Sequence, residues 1–300
     1  MVLSGVQERL APLQTWLFPQ RLYLELQDQA ITAMALKGRR VQWLDQIAIP
    51  PGLCAAGRLL NGPALADLLG DWLVESGYAG ARISAVLPGP ATELRLLRGE
   101  GPFDSSRFAL PKQLEPLALP WPLETAVDVL CCSTPSIEGS TLSVAVEAAL
   151  LEGWLELFAD AGFNLDSLEA SPICALRALQ LEGGLVLGLE SDQSWLICVE
   201  HGAPIWQWRL PPLNQPQALQ MELSQCLSYW KARLTLPASI AVVACAALPR
   251  APFETLQRSI PLELDWFDPL AAGQLESSLK DLAGHSLGLL WGLAAAEMQP

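Results

Sequence analysis

Apolar and polar positions alternate from Leu22 to Leu26 in the stretch LYLELQDQAI, pause at Gln27-Asp28-Gln29, and resume at Ala30. That two-residue period is the mark of a half-buried strand, and the spacing predicts a hairpin with strands over 22–27 and 30–36. A third strand is predicted over 40–48, after the turn Lys37-Gly38, and Pro50-Pro51-Gly52 ends the unit. The period then changes. Leu65, Leu68, Leu69, Trp72 and Leu73 share one face of a predicted helix over about 63–76. Residues 81–87, ARISAVL, give a further strand, closed by Pro88-Gly89-Pro90.

The same series returns later in the chain. LVLGLE (185–190) leads into the polar turn Ser191-Asp192-Gln193, then SWLICVE (194–200), the turn His201-Gly202 and IWQWRL (205–210), ended by Pro211-Pro212. Leu219, Leu223, Cys226, Leu227, Trp230 and Leu234 then mark an amphipathic helix, and SIAVVACAA (239–247) a strand. Leu24 corresponds to Leu187, Gly38 to Gly202, and Pro50-Pro51 to Pro211-Pro212. A duplicated strand–strand–strand–helix–strand unit predicts an α/β chain of the actin-like, ribonuclease H-like kind, two halves with a cleft between them.

The remaining segments fill in this plan. An N-terminal amphipathic segment (1–20) carries Leu3, Val6, Leu10, Leu13 and Leu17 at helical spacing. The first half is expected over 21–183, with a small subdomain inserted at about 91–150, where ATELRLL, ETAVDVLCC and TLSVAVEA read as strands. Helices are predicted at about 146–161 and 172–181, and Gly183-Gly184 marks the start of the second half, 184–300. A long C-terminal helix is expected over 275–291, from Leu275, Leu279, Leu282, Leu287, Leu290 and Trp291.

Composition narrows the function classes. Hydrophobic residues make up 51% of the 300, enough for a sizeable core. The formal net charge is −14, with 18 basic residues against 32 acidic ones. No basic stripe is present, which argues against nucleic acid as a partner. An acidic surface instead favours a Lys- or Arg-bearing partner segment. The seven Cys include no CxxC, and the two His, His201 and His285, lack ligand-like spacing to them. They read as small core residues of a reducing compartment, and no metal site is expected. Glu8, Arg9 and Pro12 interrupt any early apolar run, so neither a signal peptide nor direct membrane insertion is expected.

Residues 284–288, GHSLG, match the G-x-S-x-G nucleophile elbow, with Ser286 as the nucleophile. The context opposes it: no strand precedes the motif, no His follows it, and a helical stretch is the simpler reading. Trp206 and Trp208 share a strand face and read as core. Asp67, Asp71 and Glu75 read as a solvated helix face, and Lys37, Arg39 and Arg40 as a solvated turn.

Several phrases, in their order and spacing, resemble the type IV pilus assembly protein PilM family, with its relatives GspL (cytoplasmic domain) and FtsA. They are IAIPPGL (47–53), PWPLETAVDVLC (121–132), VEAALLEGWLELFADAGFNLDSLEASPICALRAL (146–179) and GAPIWQWRLP (202–211). The resemblance implies a nucleotide cleft served by an Asp-x-Gly-Ser loop on the first hairpin, an Asp-x-Gly loop on the second, and a Gly-Gly turn near the C-terminal half. Gly lets backbone N–H groups approach phosphate, hydroxyls donate to it, and a carboxylate organises magnesium and water. This chain departs at each position. Glu25 stands for the first Asp, Gln27 for the Gly and Asp28 for the Ser. Gly188 stands for the second Asp and Glu190 for its Gly, with Ser191 and Asp192 following. VACAALPR (243–250) replaces the Gly-Gly turn. Glu25, Asp28, Glu190 and Asp192 would all face the phosphate site, with no Lys or Arg in either loop.

The expectation is therefore a pseudo-ATPase without cofactor, ATP and magnesium binding only if the degenerate site is still competent. As the resemblance implies, it would be a cytoplasmic scaffold held at the inner membrane by partners. Those partners are the tail of a PilN-like inner-membrane protein and other proteins of the pilus assembly platform, the tail binding between the first half and the inserted subdomain. An actin-fold ATPase built around Glu25 is the alternative, and a GHSLG hydrolase the weaker one.

Overall fold

The computed structural model describes residues 20–55, 57–98, 127–133, 140–232, 237–246, 248, 251–260, 262–277, 279 and 286–298. The amphipathic segment expected at 3–17 lies outside these. Strands β1 (Arg21–Leu26), β2 (Ala30–Lys37) and β3 (Arg40–Ala48) form an antiparallel meander. A small hairpin, β4 (Cys54–Ala55) and β5 (Arg58–Leu59), follows. Helix α1 (Gly62–Glu75) is capped by Asn61, whose side chain accepts from the N–H of Ala64. It leads to β6 (Arg82–Leu87), which pairs parallel with β1.

Three strands then form a separate antiparallel sheet: β7 (Thr92–Arg98), β8 (Val127–Ser133) and β9 (Ser140–Glu147), in the order β7-β9-β8. This is the inserted subdomain. Helix α2 (Ala148–Asp160) returns the chain to β10 (Asn164–Ala170), parallel to β6, and to α3 (Ser171–Leu179).

The second unit repeats the first. Strands β11 (Gly183–Leu189), β12 (Ser194–Glu200) and β13 (Ala203–Leu210) form the meander. Helix α4 (Pro216–Lys231) leads to β14 (Ser239–Ala244), parallel to β11, and α5 (Ala251–Ser259) leads to β15 (Glu263–Trp266), parallel to β14. The sheet orders, β10-β6-β1-β2-β3 and β15-β14-β11-β12-β13, are the same. The duplication read from the pattern of strands is thus a duplication of topology.

Three apolar clusters hold the layers. One lies under α1 and α2 on the outer face of the first sheet, around Leu22, Leu24, Leu69, Leu73 and Trp154. A second lies under α4 and α5, around Leu187, Leu196, Leu223 and Leu227. The third lies between the sheets and includes Tyr23, Met34, Trp195, Ile197 and Leu290. α3 and the last helix, α6 (Gly288–Met298), pack together in that layer. Their contact needs a glycine, since a Cβ on Gly292 would stand 1.8 Å from the Cys174 carbonyl oxygen.

The long helix expected over 275–291 is corrected. Leu275 is buried ahead of a two-residue strand, β16 (Glu276–Ser277), which pairs parallel with β3 at the edge of the first sheet. The helix begins at Gly288. Gly273 turns the chain at φ +68°. Arg39 then holds that turn, donating to the carbonyls of Gln274 (2.7 Å) and Gly273 (3.0 Å). Leu275 and Leu290 belong to one core cluster without belonging to one helix. Arg39, read as part of a solvated turn, is therefore an anchor. At the end of α6, Glu297 accepts from Arg21, Tyr23 and Ser84, fastening the helix to the first sheet.

Candidate functional site: the cleft between the two hairpins

In α/β sheets the ends of the strands at their carboxyl side gather the loops that bind ligands. Here five such ends meet: β1 with Glu25 and Gln27, β6 with Gly89, β10 with Ser171, β11 with Glu190 and Ser191, and β14 with Cys245 and Ala246. Glu25, Gln27 and Glu190 are each no more than 2% exposed. Burial of that degree requires partners for polar atoms, and most come from across the cleft.

Glu190 collects four donors. Its Oε2 accepts from the backbone N–H of Gly89 (2.8 Å) and from Gln27 Nε2 (3.4 Å). Its Oε1 accepts from Ser171 Oγ (2.5 Å) and from the indole Nε1 of Trp195 (2.6 Å). Three of those donors belong to the first half, while Glu190 belongs to the second. The reverse contacts also exist. Gln27 Oε1 accepts from the N–H of Ser191 (3.4 Å), and Glu25 Oε1 accepts from the N–H of Ala246 (3.0 Å). The two halves are stapled together at the position where the family resemblance places phosphate.

The two carboxyls differ. Glu190 has the donor set of an ionised acceptor. Glu25 Oε1 has the one short bond and a long contact with Gln27 Nε2 (3.5 Å), and the Cys245 thiol adds a weak hydrogen bond to this carboxyl. Burial, and then the neighbouring Glu190, push the Glu25 carboxyl up to about 8. Burial raises Glu190 as well, against the four hydrogen bonds that favour its charge. No ion pair to either carboxyl is formed by a described Lys or Arg. At neutral pH the pair holds a proton, and the geometry places it on Glu25.

Gly188, which stands where the resemblance expects a carboxylate, has a packing role. It pairs with Trp195 across the hairpin. The indole lies directly over it, since a Cβ on Gly188 would stand 2.0 Å from the ring. A Cβ on Gly89 would also meet that ring, at 2.5 Å. The cleft is filled by Trp195, with glycine on both sides of it.

The expectation that four carboxylates face the site is corrected for Asp28. Asp28 turns to the β4–β5 hairpin, where it accepts from the N–H of Gly57 (3.2 Å) and from Cys54 Sγ (3.4 Å). Asp192 lies near the same thiol: burial first, then Asp28, then Asp192 raise Cys54 above its ordinary value. Both aspartates are half-buried at the rim. Ser191 is buried, its hydroxyl 4.0 Å from Cys245 Sγ. Ser171, Trp195, Gly89 and Ala246 were not read from sequence as site residues. The signal for Trp195 was available in the hairpin register, which sets the smallest residue opposite the largest.

Among the described residues no group of His, Cys, Asp and Glu forms a metal cluster. Ser286 is 1% exposed, and its hydroxyl donates to the carbonyl of Ala244 (2.5 Å), so it supports β14 and presents no nucleophile. Among the described residues no helix is long and apolar enough to cross a membrane.

No protein-family model matches the chain, and no curated protein matches it either. Solved structures do. A PilM–PilN type IV pilus biogenesis complex contains a chain superposing with a TM-score of 0.72 at 17% identity, over 93% of this chain and 99% of that one. The ethanolamine utilization protein EutJ from Carboxydothermus hydrogenoformans gives 0.54 at 11% identity, over 92% and 89%. The cytoplasmic domain of EpsL, an inner-membrane component of the type II secretion system of Vibrio cholerae, gives 0.51 at 13% identity, over 92% and 95%. A Bacteroides thetaiotaomicron protein described as having an actin-like ATPase fold gives 0.53. This chain has the actin-like fold, with an inserted three-stranded subdomain and a cleft closed by its own side chains.

Proposed function

We propose that this protein is a PilM-like scaffold of a type IV pilus or related assembly platform, and that it works without hydrolysing or binding ATP. It would sit on the cytoplasmic side of the inner membrane, held there by the tail of a PilN-like protein. The similarity to the PilM–PilN complex over nearly the whole of both chains supports the platform role. The observation that carries the reading is the Glu190 network. Four donors and the Trp195 ring occupy the place where phosphate would need open backbone N–H groups.

The residues present do not fit a nucleoside triphosphate with magnesium. The ionised Glu190 carboxylate would face its negative charge, and like-charge repulsion at short range is worth kcal/mol in a partly buried site. Glu25 is spent on the Ala246 N–H and carries a proton, which makes it a poor organiser of a metal-bound water. This weighs against the alternative of an ATPase built around Glu25. A scaffold has no such requirement, because peptide capture uses sheet edges and grooves away from the cleft.

Titration of the purified chain with the N-terminal cytoplasmic peptide of a PilN-type protein from the same organism tests the proposal. Saturable binding, equal with and without Mg-ATP, is expected. Absence of binding at high micromolar peptide counts against the platform role.

A further inference from the structure

We propose that the contact between the two halves is a proton-operated latch, closed while Glu25 and Glu190 hold one proton between them and opened when that proton is lost. The latch and the chain crossings lie at opposite ends of the sheets. Glu25 and Glu190 lie at the carboxyl ends of β1 and β11. The first crossing enters β11 at its other end, through Gln180 at φ 52° and Gly184 at φ 129°. At the rise of a strand, Gly184 is roughly 20 Å from Glu190. The second crossing leaves β15 and returns to the first sheet through the Gly273 turn, where β16 pairs with the start of β3. That start lies beside the end of β2, which in turn lies beside the start of β1. Both crossings are therefore remote from the carboxyl pair. Turns at one end and inter-half hydrogen bonds at the other are the layout of a hinge and its latch.

The pair is buried, and its surroundings supply no positive charge. Glu25 and Glu190 are each 1% exposed. The Gln27 amide lies between them, 3.5 Å from Glu25 Oε1 and 3.4 Å from Glu190 Oε2. After β14 comes the Cys245 thiol, which donates to Glu25, and α3 brings Cys174, whose thiol is kept neutral by burial. Glu169 and Arg177, the charged groups nearest Cys174, pair with each other (2.6 Å). β2 and β6 set Thr32 and Val86 beside Glu25. The one charged side chain of α6, Glu297, is held by Arg21. Asp28 and Asp192 at the rim add only negative charge. A second negative charge in this enclosure favours the form in which water reaches both carboxylates.

The direction follows from the two states. In the open form Glu25 has the ordinary carboxyl value of 4.5, and in the closed form burial, then Glu190, raise it to about 8. Closure is fully favoured below pH 4.5 and is lost as pH rises through about 8. Between those limits the ratio of open to closed grows about tenfold per pH unit. The latch depends on the proton of this pair and not on a pilus-platform role.

Three backbone N–H groups report on the latch, because each donates across it: Gly89 to Glu190, Ser191 to Gln27 and Ala246 to Glu25. Hydrogen exchange of the full chain between about pH 5.5 and 8, each rate referred to its intrinsic chemical rate, measures their opening. Protection at the three should fall about tenfold per pH unit. At every pH it should be lower than that of β1, which is paired on both sides and exchanges by unfolding. In Glu25→Gln, which has no proton to lose, protection at the three should be high and independent of pH. Exchange of the three only together with β1 would mean unfolding in place of opening. Protection independent of pH in the wild type, or the same fall retained in Glu25→Gln, would take the proton out of the latch. Each of these results overturns the proposal.

Discussion

Gly188→Asp, which puts an acidic residue where the resemblance expects one, should abolish the native fold and leave the protein insoluble. The Cβ would stand 2.0 Å from the Trp195 ring, and both ring carbons next nearest lie within 2.4 Å. Neither partner can yield. Trp195 is 1% exposed and its indole N–H is fixed on Glu190, while Gly188 lies in a strand paired on both sides. The new carboxylate would also be buried beside Glu190 without a cation from any described residue. Overpacking and an unpaired buried charge act together, a combination expected to destabilise by more than about 4 kcal/mol. The check is soluble yield and the circular dichroism melt. Gly188→Asp combined with Trp195→Ala should recover part of the stability, because the ring that it strikes is gone. A wild-type melt for the single variant would mean that the indole does not occupy the cleft.

Glu25→Gln should do the opposite and stabilise the protein, by an amount that grows with pH. The ordinary carboxyl value is 4.5, and in the fold burial and then Glu190 lift it to about 8. With the folded value raised, the stability linked to this proton is fully present below pH 4.5 and is lost as pH rises through about 8. Over that window the wild type loses about 1.4 kcal/mol per pH unit through this group. Glutamine holds no titrating proton and can still accept from the Ala246 N–H. The gap between variant and wild type should be near zero at pH 4.5, about 3 kcal/mol near neutrality, and constant above pH 8. Urea melts of both proteins across this range measure it, and the shared surface carboxylates cancel in the difference. A gap independent of pH would place the proton elsewhere.

The fold was legible because its signal is periodic. The meanders alternate with period two, the helices carry apolar faces at three and four, and the two series align through Leu24 and Leu187. The C-terminal helix was misread because Leu275 and Leu290 are buried in one cluster from two elements, and helical spacing cannot tell shared burial from a shared helix. The site was legible as a loss and not as a gain. The replacement of Gly and Ser by Gln27, Asp28 and Glu190 showed what the loops lack. The new use of Glu190 depends on Gly89, Ser171 and Trp195 arriving from three elements, and nothing local in the sequence records that meeting. Asp28 and Asp192 looked equivalent to Glu25 and Glu190 as carboxylates in turns. Asp28 instead bonds Gly57 and Cys54 of the β4–β5 hairpin, and Asp192 lies near the same thiol.

The proposal that the side chains closing the cleft of this actin-like fold leave no room for a nucleotide is open to a direct test. Thermal unfolding of the full chain during titration with Mg-ATP to about 5 mM tests it most directly, since a ligand bound only by the folded state raises Tm with its concentration. The account predicts a Tm unchanged from that in magnesium alone. A saturable rise of several degrees, abolished by Glu190→Gln or Gln27→Ala, would contradict it.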